Sequence, residues 1–145
     1  VTLPGPYVPS PWGWVREQVE LYEATGGREG GTRHGLPVVI LTHRGVRSGQ
    51  LRKTPLMRVE HAGAYLAVAS MGGAPKDPLW VANLRADPHA VLQDGDEVWA
   101  VTARELGGEE RAGWWERAVA AFPRYARYQE RTDRVIPVFL LERAD

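Results

Sequence analysis

The chain has 145 residues, with 18 Lys+Arg against 18 Asp+Glu, 43% hydrophobic residues and no cysteine, the make-up of one globular domain with a substantial core. A formal net charge of zero argues against a general nucleic-acid binder. The missing cysteine removes disulfides, thiolate nucleophiles and cysteine–zinc sites, and it suits a reducing cytoplasm. The longest apolar run, Leu36 to Leu41, is too short to span a bilayer, and the first residues lack the charged-then-apolar pattern of a leader.

The first element is a helix. Ser10 can cap it, Pro11 suits its first position, and Val15, Val19 and Tyr22 recur at helical spacing before Gly26-Gly27 ends it. Its acids, Glu17, Glu20 and Glu23, are poorly suited to an anionic membrane, so packing on the domain is preferred and peripheral membrane contact stays an option. A loop over residues 28–35 follows. "LPVVILT" is a β-branched apolar run, the mark of a buried strand. "TPLMRVE" and "AYLAVAS" read as strands around the turn "HAG", and "HAVLQD" and "EVWAVTARE" flank the stronger turn "DGD". "VIPVFLLE" is the last strand, with Pro137 marking an edge or bulge. Six strands in meander order predict a closed or nearly closed antiparallel barrel.

Helices interrupt the strands twice. "DPLWVANLRADP" has Asp77 as N-cap and Pro78 at the first helical position, and it stops before Pro88. "GEERAGWWERAVAAF" puts Ala112, Trp115, Val119 and Phe122 on one face, and Pro123 opens a short helix, "PRYARYQERT". The fold class is therefore mainly β with helices (α+β). Residues 1–35 form an N-terminal helix and loop, and residues 36–145 form the barrel of a single domain.

Several chemistries find no support. "GVRSGQLRK" lacks the glycine that a P-loop carries before its lysine, and no G-x-G-x-x-G or G-x-S-x-G occurs. The four histidines, His34, His43, His61 and His89, are scattered without ligand spacing, so no metal site is expected. An enzyme built on this sequence would take its chemistry from an organic cofactor.

Two stretches stand out. From Thr42 to Val59 the chain holds Arg44, Arg47, Arg52, Lys53 and Arg58 and no acid. Gly45 and Gly49 bracket the loop, Ser48 and Thr54 add hydroxyls, and such a loop can turn its N–H groups toward an anion. A solvated basic turn is the plain alternative. The second stretch runs from the strand end at Ser70 through Gly72-Gly73 and Lys76 to a helix start, with Trp80 and Asn83 at i, i+3. Its plain alternative is a turn and a core tryptophan.

"LTHRGVRSGQLRKTPLM", "ASMGGAPKDPLWVANLRADP" and "EERAGWWERAVAAFPRYARYQERTDRVIPV" resemble, in order and spacing, the deazaflavin-dependent nitroreductase family of actinobacteria. The resemblance runs from about Leu36 to Leu141. It implies a six-stranded split β-barrel of the flavin/deazaflavin-reductase type and coenzyme F420, whose tail carries a phosphate and several carboxylates. It also implies hydride transfer from the reduced deazaflavin to a quinone, an activated alkene or a nitroaromatic acceptor, and leaves a homo-oligomer open. The rival readings are an FMN-dependent split-barrel oxidoreductase and a non-catalytic F420 carrier or sensor.

Carried over by position, the resemblance places coenzyme contacts at Val46, Arg47 and Ser48; at Arg52, Lys53, Thr54, Pro55, Leu56 and Met57; at Val68, Ala69, Ser70 and Met71; at Leu79, Trp80, Val81, Ala82 and Asn83; and at Tyr125. Ser70 and Tyr125 are the candidate catalytic hydroxyls, and Tyr128 lies near the acceptor. The chain also departs from the family pattern. One basic residue of the loop is missing, with Arg44 and Lys53 as candidate replacements. Met71 stands where the family has lysine, and Met57 and Val81 stand where tyrosine is common. These changes make the pocket less polar and bear on substrate choice.

Overall fold

The computed structural model describes residues 2–144. Its elements are helix α1 (Gly13–Thr25), strands β1 (Thr32–Arg33), β2 (Leu36–Arg44), β3 (Leu51–Met57), β4 (Glu60–His61) and β5 (Ala64–Val68), helix α2 (Leu79–Ala86), strands β6 (His89–Asp94) and β7 (Glu97–Glu105), helices α3 (Gly108–Ala121) and α4 (Arg124–Glu130), and strand β8 (Val138–Arg143). All six expected strands are present, together with the two-residue strands β1 and β4. The sheet curls into an antiparallel half-barrel.

The order is not a meander. β3 pairs with β2, and the path continues β2-β6-β7-β8-β5-β4. A meander needs β5 and β6 joined by a tight turn. Here the connection contains α2, which carries the chain across the barrel and delivers β6 to β2, with Leu41 opposite Leu92. β5 is left to pair with β8, Ala67 opposite Phe139. The Leu66 N–H donates to the Val59 carbonyl at 2.9 Å, drawing β5 toward the segment after β3.

Three apolar clusters hold this shape. Val39, Leu41, Leu56, Ala67, Leu92, Val101 and Phe139 fill the interior, joined by Trp80, Val81 and Leu84 of α2. Val15, Val19 and Tyr22 of α1 cover the opposite face of β2 at Val38 and Ile40. β2 is therefore buried on both faces, which explains its unbroken apolar run. Trp114, Ala118, Phe122 and Tyr125 of α3 and α4 cover β5 and β8 at Leu66, Val68, Val138 and Leu140. Trp80 meets Phe139 edge-on at 5.8 Å, so the core reading of this tryptophan holds.

Several predicted boundaries move. α1 starts at Gly13 rather than Pro11; Ser10 does not cap it by reaching a helical N–H, but its Oγ accepts from the N–H of Trp12. β3 starts at Leu51, because the ladder with β2 runs to the Arg44–Leu51 pair. β8 starts at Val138, since Pro137 has no N–H for the ladder. Asp77 does not cap α2, whose N-cap is Pro78; its carboxylate accepts from Arg134 instead. On α3 the buried residues are Trp114 and Ala118, while Ala112 is exposed, so the inward face is turned one residue from the expected one. Among the described residues no helix is long and apolar enough to cross a membrane.

Candidate functional site

The basic segment divides once β3 begins at Leu51. The loop proper is residues 45–50, closed by the Gly45 N–H to the Gln50 carbonyl at 2.8 Å and the Gly49 N–H to the Gly45 carbonyl at 2.9 Å. Ser48 Oγ accepts from the Gln50 N–H at 3.1 Å. Val46, Arg47 and Ser48 are exposed at the tip, and Arg47 has no ion-pair partner among the described residues. This loop is tied to α2: the Val46 N–H donates to Asn83 Oδ1 at 3.0 Å.

Arg52 and Lys53 are strand residues, and the pleat sends neighbours to opposite faces. Thr54 and Leu56 face inward, toward His43 and the interior cluster. Lys53 and Met57 face α1: Lys53 Nζ lies 2.5 Å from the Glu23 carboxylate and 4.6 Å from the centre of the Tyr7 ring, and Met57 packs beside Val38 and Ile40. Arg52 donates to the carbonyls of Val8 and Pro9, holding the N-terminal segment along β3. The predicted contacts at 52–57 therefore do not form one surface. Arg44 donates to the Gly49 carbonyl and pairs with Asp87 at 3.5 Å, and Arg58 pairs with Asp94 at 2.9 Å. Of the five cations in the acid-free run, only Arg47 has no partner among the described residues.

The glycine-rich stretch forms a turn with three successive positive φ values: Met71 46°, Gly72 65° and Gly73 81°. Glycine takes this conformation readily and methionine does so at a cost. Gly73 is also sterically required, since a Cβ there would lie 2.7 Å from the Tyr128 carbonyl oxygen. Arg134 braces the turn from both ends. It donates to the carbonyls of Ala69 (3.1 Å) and Ser70 (2.8 Å) before it and of Ala74 (2.8 Å) after it, and to Asp77 at 2.8 Å. This brace was not foreseen, because its partners lie about sixty residues away in sequence.

The turn meets α4. Arg131 donates to the Gly72 carbonyl at 3.4 Å. Tyr125 is buried, edge-on to Phe122 at 4.9 Å and 6.3 Å from Tyr128. Burial, with a smaller contribution from neighbouring Tyr128, holds the Tyr125 hydroxyl pKa well above 10. That hydroxyl keeps its proton at neutral pH. The hydroxyls of Ser70, Tyr125 and Tyr128 have no hydrogen-bond partner among the described residues. Val68, Ala69 and Ser70 are buried beneath the turn, whereas Met71 is 47% and Leu79 87% exposed. Trp80, Val81 and Asn83 are buried on α2, and Ala82 faces outward.

His43 went unnoticed as a site residue. It is 3% exposed and sits two residues beyond Leu41, on the same inward parity. Its Nδ1 lies 3.0 Å from Asn83 Nδ2 and its Nε2 3.2 Å from Thr54 Oγ1. Burial, and to a lesser degree Arg52, lower its pKa to about 4, so it is neutral at pH 7. No group of three metal-ligating side chains occurs among the described residues.

A curled antiparallel half-barrel with this helix and this glycine-rich turn belongs to the split-barrel flavin and deazaflavin reductases. A sequence model of the F420H(2)-dependent quinone reductase family matches residues 14–143, and the chain belongs to that family. It is an oxidoreductase that works with coenzyme F420. An F420H(2)-dependent quinone reductase of Mycobacterium tuberculosis is 37% identical over 127 residues, 85% of each chain. A solved structure described as a domain-swapped dimer is 51% identical, with a TM-score of 0.73 over 92% of this chain and 100% of that one. An F420-H2 dependent reductase, FDR-A, is 54% identical, with a TM-score of 0.70 over 77% of this chain and 100% of that one.

The residues present suit the coenzyme. Its tail is anionic, and Arg47 and Ser48 stand exposed at the loop tip. Its ring is flat, and exposed Met71 and Leu79 beside a glycine turn offer apolar surface to cover. The unpartnered hydroxyls at Ser70, Tyr125 and Tyr128 supply donors.

Proposed function

We propose that the strip from the 45–50 loop across α2 to the 70–73 turn and α4 is the site at which F420H2 reduces a quinone. Activated alkenes and nitroaromatic compounds are secondary acceptors of the same electron-poor class. The coenzyme supplies hydride when bound. The Arg47 guanidinium, the Ser48 hydroxyl and the backbone N–H groups of these two residues hold the anionic tail; the other loop N–H groups are already engaged within the protein. Met71 and Leu79 would offer apolar surface to the ring and Thr54 a hydroxyl, while Val68, Ala69 and Asn83, buried beneath, would shape the site. Ser70 and Tyr125 donate hydrogen bonds to the oxygen on which negative charge develops, and Tyr128 orients the acceptor. Pro55 and Leu56 contribute through the backbone of β3. Lys53 and Met57 contribute only if α1 and the N-terminal segment shift.

The supporting observation is the hydrogen bond from the Val46 N–H to Asn83. It joins the basic loop to the helix that the glycine-rich turn feeds, which supports reading these stretches as one site. The test is titration with F420 and FMN by fluorescence, then turnover of F420H2 with menadione. F420 is expected to bind at least tenfold more tightly, because its tail has more negative charge for the loop. Equal affinities would overturn the assignment, and tight binding without turnover would indicate a carrier.

A homodimer is the expected assembly, given the dimeric description of a relative at 51% identity, and light scattering tests it. A cytoplasmic location suits a cysteine-free chain. Membrane contact through α1 rests on exposed Trp12 and Trp14 and is opposed by exposed Glu17 and Glu20.

A further inference from the structure

A chain of hydrogen bonds with a fixed direction runs through the site. It starts at the Val46 N–H, which can only donate. Asn83 must therefore present Oδ1 to it, at 3.0 Å. That leaves Nδ2, a donor, facing His43 Nδ1 at 3.0 Å. Nδ1 must accept, so the proton of neutral His43 sits on Nε2. Nε2–H then donates to Thr54 Oγ1 at 3.2 Å. With one lone pair engaged, the Thr54 hydroxyl must send its own proton elsewhere, and no protein acceptor for it is present among the described residues. His43 and Asn83 are buried, at 3% and 7% exposure, so water does not scramble the order.

We propose that His43 is a positioning residue that fixes the Thr54 hydroxyl as a hydrogen-bond donor to an acceptor oxygen of bound coenzyme F420. The inference rests on the F420 reading of the site. The chain also links the loop tip to the strand floor: a loop that moves away from Asn83 frees the amide to turn, and the order of donors is lost. A side chain that reverses the order would present a lone pair to the coenzyme oxygen and repel it.

Two measurements test this. The first needs no coenzyme: nitrogen-15 NMR of the imidazole is expected to show Nδ1 unprotonated and Nε2 protonated at pH 7. The opposite tautomer overturns the inference. The second is F420 affinity by fluorescence. Thr54→Val is expected to raise Kd about tenfold, the scale of one hydrogen bond to a charged or strongly accepting group. Thr54→Ser should stay within about threefold. His43→Gln keeps an acceptor toward Asn83 and a donor toward Thr54, and should retain most of the affinity. His43→Leu should lose several-fold, and in that background Thr54→Val should add much less than its tenfold. Because Thr54→Val changes one near-isosteric group, it keeps the inference falsifiable if His43→Leu does not fold. If wild type binds F420 and Thr54→Val binds it with unchanged affinity, the inference alone fails. Wild-type protein that does not bind F420 sinks the functional reading and this inference with it.

Discussion

Arg134 Nη2 donates to the Ser70 carbonyl at 2.8 Å, joining the segment before β8 to the residue at which β5 gives way to the left-handed turn. The same guanidinium reaches the carbonyls of Ala69 and Ala74 and the carboxylate of Asp77. One planar group therefore holds both ends of the turn and the approach to α2. Only arginine has donors enough, in a rigid enough fork, to do so.

Arg134→Ala is expected to destabilise the fold by about 2–4 kcal/mol, since it removes a largely buried charge and leaves the Ala69 and Ala74 carbonyls and the Asp77 carboxylate without their donor, the Ser70 carbonyl keeping only the Gly73 N–H. Arg134→Lys should recover less than half of that, because one ammonium cannot span acceptors on both sides of the turn. Urea unfolding measures both. Wild-type stability in Arg134→Ala would show that the turn holds itself.

The two cations at positions 47 and 53 should differ. Arg47 is exposed and unpaired, while Lys53 is already neutralised by Glu23. Arg47→Ala should raise the Kd for F420 roughly tenfold, the loss of one charge-assisted hydrogen bond. Lys53→Ala should change it less than about threefold and lower thermal stability slightly. The reverse ranking would mean that the tail lies along β3, with α1 displaced.

What could be read from the sequence was local. β2 was legible because α1 and the barrel interior bury both its faces. The loop and the glycine-rich turn were legible because glycine and charge report a backbone conformation and a field within a few residues. The pairing of β6 with β2 was not, since nothing in either strand says which edge α2 will reach. The start of β3 was hidden because Arg52 and Lys53 look like loop residues until the ladder with His43 and Thr42 assigns them a pleat. The inward face of α3 was placed one residue off because Trp114 and Trp115 are adjacent and both apolar. His43 carried a parity signal, two beyond Leu41, but its role depends on Asn83, forty residues away.

Tyr125→Phe is expected to keep the fold and to hold F420 affinity within a few-fold, because the ring packing against Phe122 and Trp115 is unchanged. Turnover with menadione should fall about tenfold, the value of one transition-state hydrogen bond of about 1.4 kcal/mol. Since the hydroxyl pKa lies above its usual 10, the wild-type pH–rate profile should show no loss assignable to tyrosine ionisation up to about pH 10. Tyr128→Phe should act more weakly, on the apparent affinity for the quinone. Undiminished turnover in both single mutants and in the double mutant would return the pair to core packing.

His43 has a folded pKa of about 4 against an ordinary value of 6.5. The unfolded chain therefore binds a proton at this residue as pH falls below about 6.5, while the folded chain does not until about pH 4. Stability that is fully present above pH 6.5 is lost as pH falls through that window, up to about 3 kcal/mol. The cause is geometric as well as dielectric. A protonated ring must donate from Nδ1 into the Asn83 amide nitrogen, and Arg52, its cross-strand neighbour, adds repulsion. Carboxylates titrate in the same range, so the comparison is between wild type and His43→Gln, which share every other group. Between pH 7 and pH 4.5, wild type should lose about 2–3 kcal/mol more of its unfolding free energy, read from urea midpoints and slopes at each pH. Equal losses in the two proteins would mean that His43 takes up a proton in the folded state without penalty, and that Asn83 can turn to let it.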